Sequence, residues 1–292
     1  MINCRICSYK TRFYKTVKNI TLFKCSNCKI IFQSNIPDDY QKDLYNYYSD
    51  FENYKFKDLY QTINSINYKK ILNLLKLNLE KKKLPINFID IGCGYGELVN
   101  FGNENGWYSF GIDLSEEAIS IGKKHKINID LIDLTKLDSK KKWSLIFLNE
   151  VIEHLINPKE LFSNLDQILE KGGIIYLTTP NINSLDRFIT NNNWNVFHED
   201  HFFYFSKNSL TKFINNNTNF SIRKIKTRNI NIFLYLKKIM KLNKEQAELK
   251  NVQYRSKIKN NKFLNLSIFL LNFILNFFSL GNTIETILEK RR

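Results

Sequence analysis

The stretch Phe88-Ile89-Asp90-Ile91-Gly92-Cys93-Gly94-Tyr95-Gly96 is a short apolar run that breaks into alternating glycines, and an amphipathic stretch begins at Glu97. Strand, glycine-rich turn and helix start, in that order, form a cradle where missing side chains let backbone N–H groups approach a ligand. A second apolar run closes on Gly111-Ile112-Asp113, about 20 residues on, where a carboxylate can accept hydrogen bonds from both hydroxyls of a ribose.

Outward from the cradle, short apolar runs keep alternating with amphipathic stretches, the pattern of βα units stacking on a parallel sheet. Strands are predicted over Phe88–Ile91, Tyr108–Ile112, Ile129–Ile132, Leu145–Leu148, Ile174–Thr178, Phe220–Lys226 and Thr283–Leu288. Seven strands fit one doubly wound α/β domain over 84–292. Between the last two lies an insertion, 230–280, whose about 50 residues are too many for a plain loop. Its second half, Phe263–Leu280, is apolar except for Asn265, Asn272, Asn276 and Ser279, which fall on one narrow helical face. A buried or membrane-surface helix is expected there rather than a transmembrane one. Upstream, composition separates a Cys-bearing head at 1–36 from an aromatic, helical segment at 37–83.

Of 292 residues, 43% are hydrophobic and 25% charged, which fits a soluble globular chain and excludes a disordered or membrane-spanning one. The net charge of +16 suits a polyanionic partner, but Lys, Asn and Ile are also heavily used along the whole chain. Its distribution is more informative: residues 230–280 carry nine Lys/Arg against two Glu. The opening Met1-Ile2-Asn3-Cys4-Arg5 has no apolar run of the secretory kind, so a cytoplasmic location is expected, with peripheral membrane contact through 230–280.

Cys4, Cys7, Cys25 and Cys28 read C-x2-C-x17-C-x2-C, a spacing at which two knuckles close a tetrahedral Zn²⁺ site. Four thiolates fill the coordination sphere, so the metal would be structural. A redox pair is the competing reading, and Cys93, without a partner, reads as a small packing residue.

The ligand of the cradle follows from what its loop lacks. A dinucleotide fingerprint needs GxGxxG, and its third glycine would fall at Glu97; the glycines here are GxGxG. Asp90, just before the loop, would repel a pyrophosphate but suits the ammonium and sulfonium of S-adenosylmethionine.

The motifs FIDIGCGYG at 88–96, GIDLS at 111–115, LIDL at 131–134, LNEVIEHL at 148–155, LEKGGIIYLTTPN at 169–181 and HEDHFFYFS at 198–206 resemble those of class I S-adenosylmethionine-dependent methyltransferases. The branch includes ubiquinone-pathway O-methyltransferases and many sugar and polysaccharide-cluster methyltransferases. The resemblance implies a Rossmann-like seven-stranded sheet, with Asp90, Gly92, Gly94 and Gly96 along the methionine part of the cofactor and Asp113 on its ribose. Leu114 would flank the adenine, Asp133 accept from its amino group, and Asn149 lie beside the cofactor. Many members of the polysaccharide branch begin with a similar ribbon and an aromatic stretch like Asp39-Tyr40 through Tyr47-Tyr48-Ser49, which either packs over the cleft or merely covers the core.

An alcohol acceptor must lose a proton, so it calls for a general base or a metal within hydrogen-bond reach. His154, His198 and His201 follow strands four and five, whose carboxyl ends form the ligand crevice of a parallel sheet. The resemblance favours His154 and His201 as the catalytic pair of candidates; Glu150 and Glu153 are near, and Glu153 is able to orient a histidine or a helix cap. O-methylation of a sugar hydroxyl, on a small-molecule or glycan acceptor, is the leading reading. A ribosomal RNA methyltransferase is the alternative, although NEVIEHL stands where an amine methylase of nucleic acid carries Asn/Asp-Pro-Pro-aromatic, and no cysteine follows Cys93 to serve a cytosine C5 methylase. Nucleic acid therefore ranks behind a small acceptor, and a non-catalytic binding module ranks third.

Overall fold

The computed structural model describes residues 2–35, 57–133, 140–230 and 262–291. Three antiparallel strands open it: β1 (Thr11–Val17), β2 (Ile20–Cys25) and β3 (Ile31–Gln33). A helix, α1 (Lys57–Lys81), leads into the alternating region. The stretch 39–49 and the first half of the insertion, 231–261, lie outside the described residues.

All seven predicted apolar runs are strands of one sheet. In chain order they are β4 (Asn87–Ile91), β5 (Tyr108–Asp113), β6 (Ile129–Leu131), β7 (Trp143–Asn149), β8 (Leu169–Pro180), β10 (Phe220–Arg228) and β11 (Thr283–Lys290). A two-residue strand, β9 (Phe203–Tyr204), stands apart from them. The sheet runs β10-β11-β8-β7-β4-β5-β6, with β11 antiparallel to both of its neighbours. Strand β8 starts earlier than the run from Ile174, because Leu169 already pairs with Trp143 and the ladder resumes after an irregularity that contains Gly172 at φ +81°.

Alternation along the strands feeds two cores. Phe88, Leu145, Phe147, Ile174 and Tyr176 point to one face, where they meet Leu72, Leu75 and Leu79 of α1 together with α2 (Glu97–Glu104) and α3 (Glu116–Lys124). Ile89, Ile91, Ile146, Leu148, Ile175 and Leu177 point to the other, against α4 (Pro158–Ile168) and α6 (Lys207–Asn217). Local signals set the helix starts: the Ser115 hydroxyl accepts from Ala118 N–H, Pro158 begins α4, and Ser206 with Ser209 forms a capping box. A short helix, α5 (Leu185–Thr190), follows β8, and α7 (Lys262–Phe277) precedes β11.

The N-terminal strands are not a free-standing unit. β9 pairs antiparallel with β3, Ile31 against Tyr204 and Phe32 against Phe203, so the ribbon sheet is completed by the later domain. Cys4, Cys25, Cys28 and Phe32 share one core with Phe202, Phe205 and Ile152. On its other side, Val17, Ile20 and Leu22 pack with Ile182, Trp194 and Phe197.

Candidate active site

Strands β4 and β7 lie side by side and parallel, and the order of the strands turns from one side of β4 to the other between them; in open α/β sheets ligands bind outside the carboxyl ends of the strands at such a switch point. The glycine loop follows β4, and Asn149 ends β7. Gly92, Gly94 and Gly96 all take positive φ, at +72°, +54° and +85°. A side chain is excluded twice over at Gly92, where a Cβ would also lie 2.6 Å from Val151 Cγ2.

Asp113 holds the loop in shape. Gly94 N–H donates to its Oδ2 (2.7 Å) and Ser115 N–H to its Oδ1 (2.9 Å), and a carboxylate so engaged still has lone pairs to offer. Leu114, next to it, is exposed, as is Asp133 at the end of a described stretch.

Asp90 is buried and hydrogen-bonded to Asn149, yet its Oδ1 has no hydrogen-bond partner among the described residues. Burial, with the Asp113 charge adding to it, pushes this carboxyl up to about 8. A buried carboxyl with an orphaned oxygen beside a backbone cradle is a fit for a cationic group such as an ammonium. Not anticipated from sequence is the contact of α1 with the loop: Asn64 Nδ2 (2.8 Å) and Tyr68 OH (3.1 Å) donate to Glu97 Oε2, one residue past Gly96.

On the acceptor side, β7 runs into Glu150, which takes φ +55°, a conformation rare for a residue with a side chain and one that collects at functional sites. Glu150 is exposed to solvent, and the protein packed around its carboxyl raises it above the usual range. Glu153 is buried and accepts from Thr179 Oγ1 (3.0 Å). Burial and the neighbouring Glu150 drive its carboxyl well above the usual carboxylate range.

His154 and His201 come together on this side with ring centroids 4.5 Å apart, and His198 stands at the outer edge of the pair, 6.5 Å from the His201 ring and 61% exposed. Asp200, which the sequence reading passed over, is the hub: His154 Nδ1 lies 3.0 Å from its carbonyl oxygen and His198 Nδ1 2.5 Å from its carboxylate. Donation from Nδ1 to that carbonyl leaves the His154 Nε2 lone pair for chemistry. Burial lowers both rings, His201 to about 3 with the help of His154, while Asp200 opposes the shift. Both imidazoles are therefore neutral at physiological pH. Glu153 orients neither ring; with them it forms a set of potential ligand atoms all within 4.8 Å of one another.

The second such set is Cys4, Cys7, Cys25 and Cys28. Their sulfurs stand 3.6 Å (Cys4–Cys28) and 3.4 Å (Cys7–Cys25) apart, too far for disulfides and close to the ~3.8 Å edge of a tetrahedron with ~2.3 Å Zn–S bonds. Ile6 N–H and Asn27 N–H point at Cys4 Sγ and Cys25 Sγ, as donors that would stabilise thiolates. The donor set fits a structural zinc ion.

Comparison with known proteins agrees with the architecture. A malonyl-[acyl-carrier protein] O-methyltransferase of Ilyobacter polytropus is 34% identical over 115 residues, 36% of this chain and 43% of that protein. A ubiquinone biosynthesis O-methyltransferase of Pelagibacter ubique is 31% identical over 140 residues, 44% of this chain and 58% of that protein. The chain thus spans about half the length of the curated relatives it matches. The plantazolicin methyltransferase BpumL, solved in complex with SAH, superposes with a TM-score of 0.52 at 19% identity, over 87% of this chain and 92% of that one. A family model described as a methyltransferase domain matches residues 63–225, more than half of the chain, and the protein belongs to that family.

Proposed function

We propose that this protein is an S-adenosylmethionine-dependent O-methyltransferase acting on a small-molecule or glycan acceptor, with a sugar hydroxyl as the favoured target. The observation that carries the cofactor reading is Asp90, whose buried oxygen beside the glycine loop has no hydrogen-bond partner among the described residues. The bound cofactor would supply an electrophilic methyl group on sulfur. Gly92, Gly94 and Gly96 would line its methionine part, Asp113 and Leu114 its nucleoside, with Asp133 and Asn149 at the edges of the same crevice. The protein's task is then alignment, exclusion of water and removal of one proton.

His154 and His201 are the groups we assign to that proton. Both are neutral, both follow strands that end at the crevice, and Asp200 beside them can compensate the charge that forms. A second reading rests on the Glu153, His154 and His201 set: neutral imidazoles and a carboxyl could hold a divalent cation in place of acting as base. The cysteine set is proposed to hold structural Zn²⁺, and the segments 1–36, 37–83 and 84–292 to be ribbon, helical connector and catalytic domain. Labelled methyl transfer to nucleotide-sugars, lipid-linked glycans and RNA tests the acceptor class. Exclusive labelling of RNA would replace this reading with its alternative.

A further inference from the structure

Helix α7 is amphipathic in the reverse sense. Leu266, Phe269, Leu270, Phe273, Ile274, Phe277 and Phe278 recur at the spacing of one helical face, and each is between 52% and 74% exposed. Asn272 and Asn276 point inward instead. Asn272 Oδ1 accepts from Asn229 N–H (2.8 Å) and Asn276 Oδ1 from Thr227 N–H (3.0 Å), so two asparagines tie the helix to the free edge of β10. Leu275, between them, is the buried apolar anchor. The hydrogen bonds fix the rotation of the helix: turning its apolar face inward would strand two backbone N–H groups of an edge strand.

The patch continues on α5. Leu185 N–H donates to the Leu280 carbonyl, and one turn further Phe188 and Ile189 are 54% and 53% exposed. The Arg187 guanidinium lies 5.1 Å over the Phe188 ring, a cation at the border of the apolar surface. The sequence that leads into α7, residues 231–261, holds eight Lys/Arg against two Glu.

We infer that this face docks on the surface of an anionic lipid bilayer. A row of seven large apolar side chains, four of them Phe, flanked by a strongly cationic stretch matches what an interfacial helix presents to acyl chains and to acidic headgroups. The 16 described residues of α7, at about 1.5 Å each, fall short of a hydrocarbon core of about 30 Å. No helix among the described residues is long and apolar enough to cross a membrane. The helix therefore lies in the plane of the interface with its asparagines toward the protein.

Flotation of the full chain with phosphatidylcholine vesicles, and with the same vesicles containing phosphatidylglycerol, tests this. The protein should float with the anionic vesicles, float less in high salt, and lose flotation in the double variant Phe269→Asp/Phe273→Asp. That variant should keep the wild-type melting temperature, because neither ring is part of a core; a fall there is answered by the milder Phe273→Ser, which should still weaken flotation several-fold. Failure of the wild type to float with either vesicle overturns the inference. So does a wild-type dimer in light scattering that the same substitutions render monomeric, since a second copy would then cover the face.

Discussion

The imidazole rings of His154 and His201 meet edge to face, with centroids 4.5 Å apart and planes at 85°, although 47 positions separate them in the chain. If one of them takes the acceptor proton, His154→Gln and His201→Gln should each lower turnover by ~10²–10⁴ while calorimetric affinity for S-adenosylmethionine stays intact. A turnover lost to chelators and restored by a divalent cation would favour the ligand role of the same residues. Near-wild-type turnover in both variants would make the rings scaffolding.

Asp113 shapes the loop and is assigned to the ribose, and the two duties separate experimentally. Asp113→Ala should weaken S-adenosylmethionine binding by about 2–3 kcal/mol, the loss expected for hydrogen bonds to a charged group. Because Gly94 and Ser115 lose their acceptor too, the melting temperature of the unliganded protein should fall as well. An unchanged dissociation constant would sink the cofactor assignment.

A pH dependence follows from Asp90. With its carboxyl raised to about 8, the folded protein holds that proton more tightly than the unfolded chain does. The contribution to stability is thus intact at acid pH and is lost as pH rises from about 4 to about 8, by up to about 1.4 kcal/mol per unit. Thermal melts of wild type and Asp90→Asn should diverge across this window, with the variant declining less; parallel curves refute the burial argument. A cationic ligand would pull the carboxyl down, so binding of S-adenosylmethionine near neutral pH should release a proton, read as a calorimetric enthalpy that depends on the buffer's ionisation heat.

Metal analysis should return one zinc per chain, and Cys25→Ser should lower the melting temperature. Through the pairing of β3 with β9, and through Gln33 N–H donating to the Phe202 carbonyl at 2.9 Å, loss of the metal should also reach the histidine segment. The expected signature is a higher KM for the acceptor at unchanged cofactor affinity. A folded, metal-free ribbon would refute the site.

Much of this was legible because it depends on short-range pattern. Apolar runs gave the strands within a few residues, the glycines the turn after β4, and the cysteine spacing a compact sulfur cluster. What was not legible depends on partners distant in sequence. Phe203–Tyr204 is too short to carry a strand pattern, and it becomes one only through Ile31 and Phe32. Periodicity put Asn272 and Asn276 on one face of a helix, but it is their hydrogen bonds to the N–H groups of Asn229 and Thr227 that turn this face inward. Asp200 sat in plain view within HEDH, yet its role as hub needs the approach of His154 from another loop.

The shared ribbon sheet has a consequence for the order of assembly. Residues 4–28 leave the ribosome well before residues 203–204, so the four cysteines can come together before the strand that completes their sheet exists. Strand β3 is then an open edge, since the residues that pair with it, Phe203 and Tyr204, are more than 170 positions downstream. Until Phe203 and Tyr204 arrive that edge stays unprotected, and closing it is a strongly non-local contact.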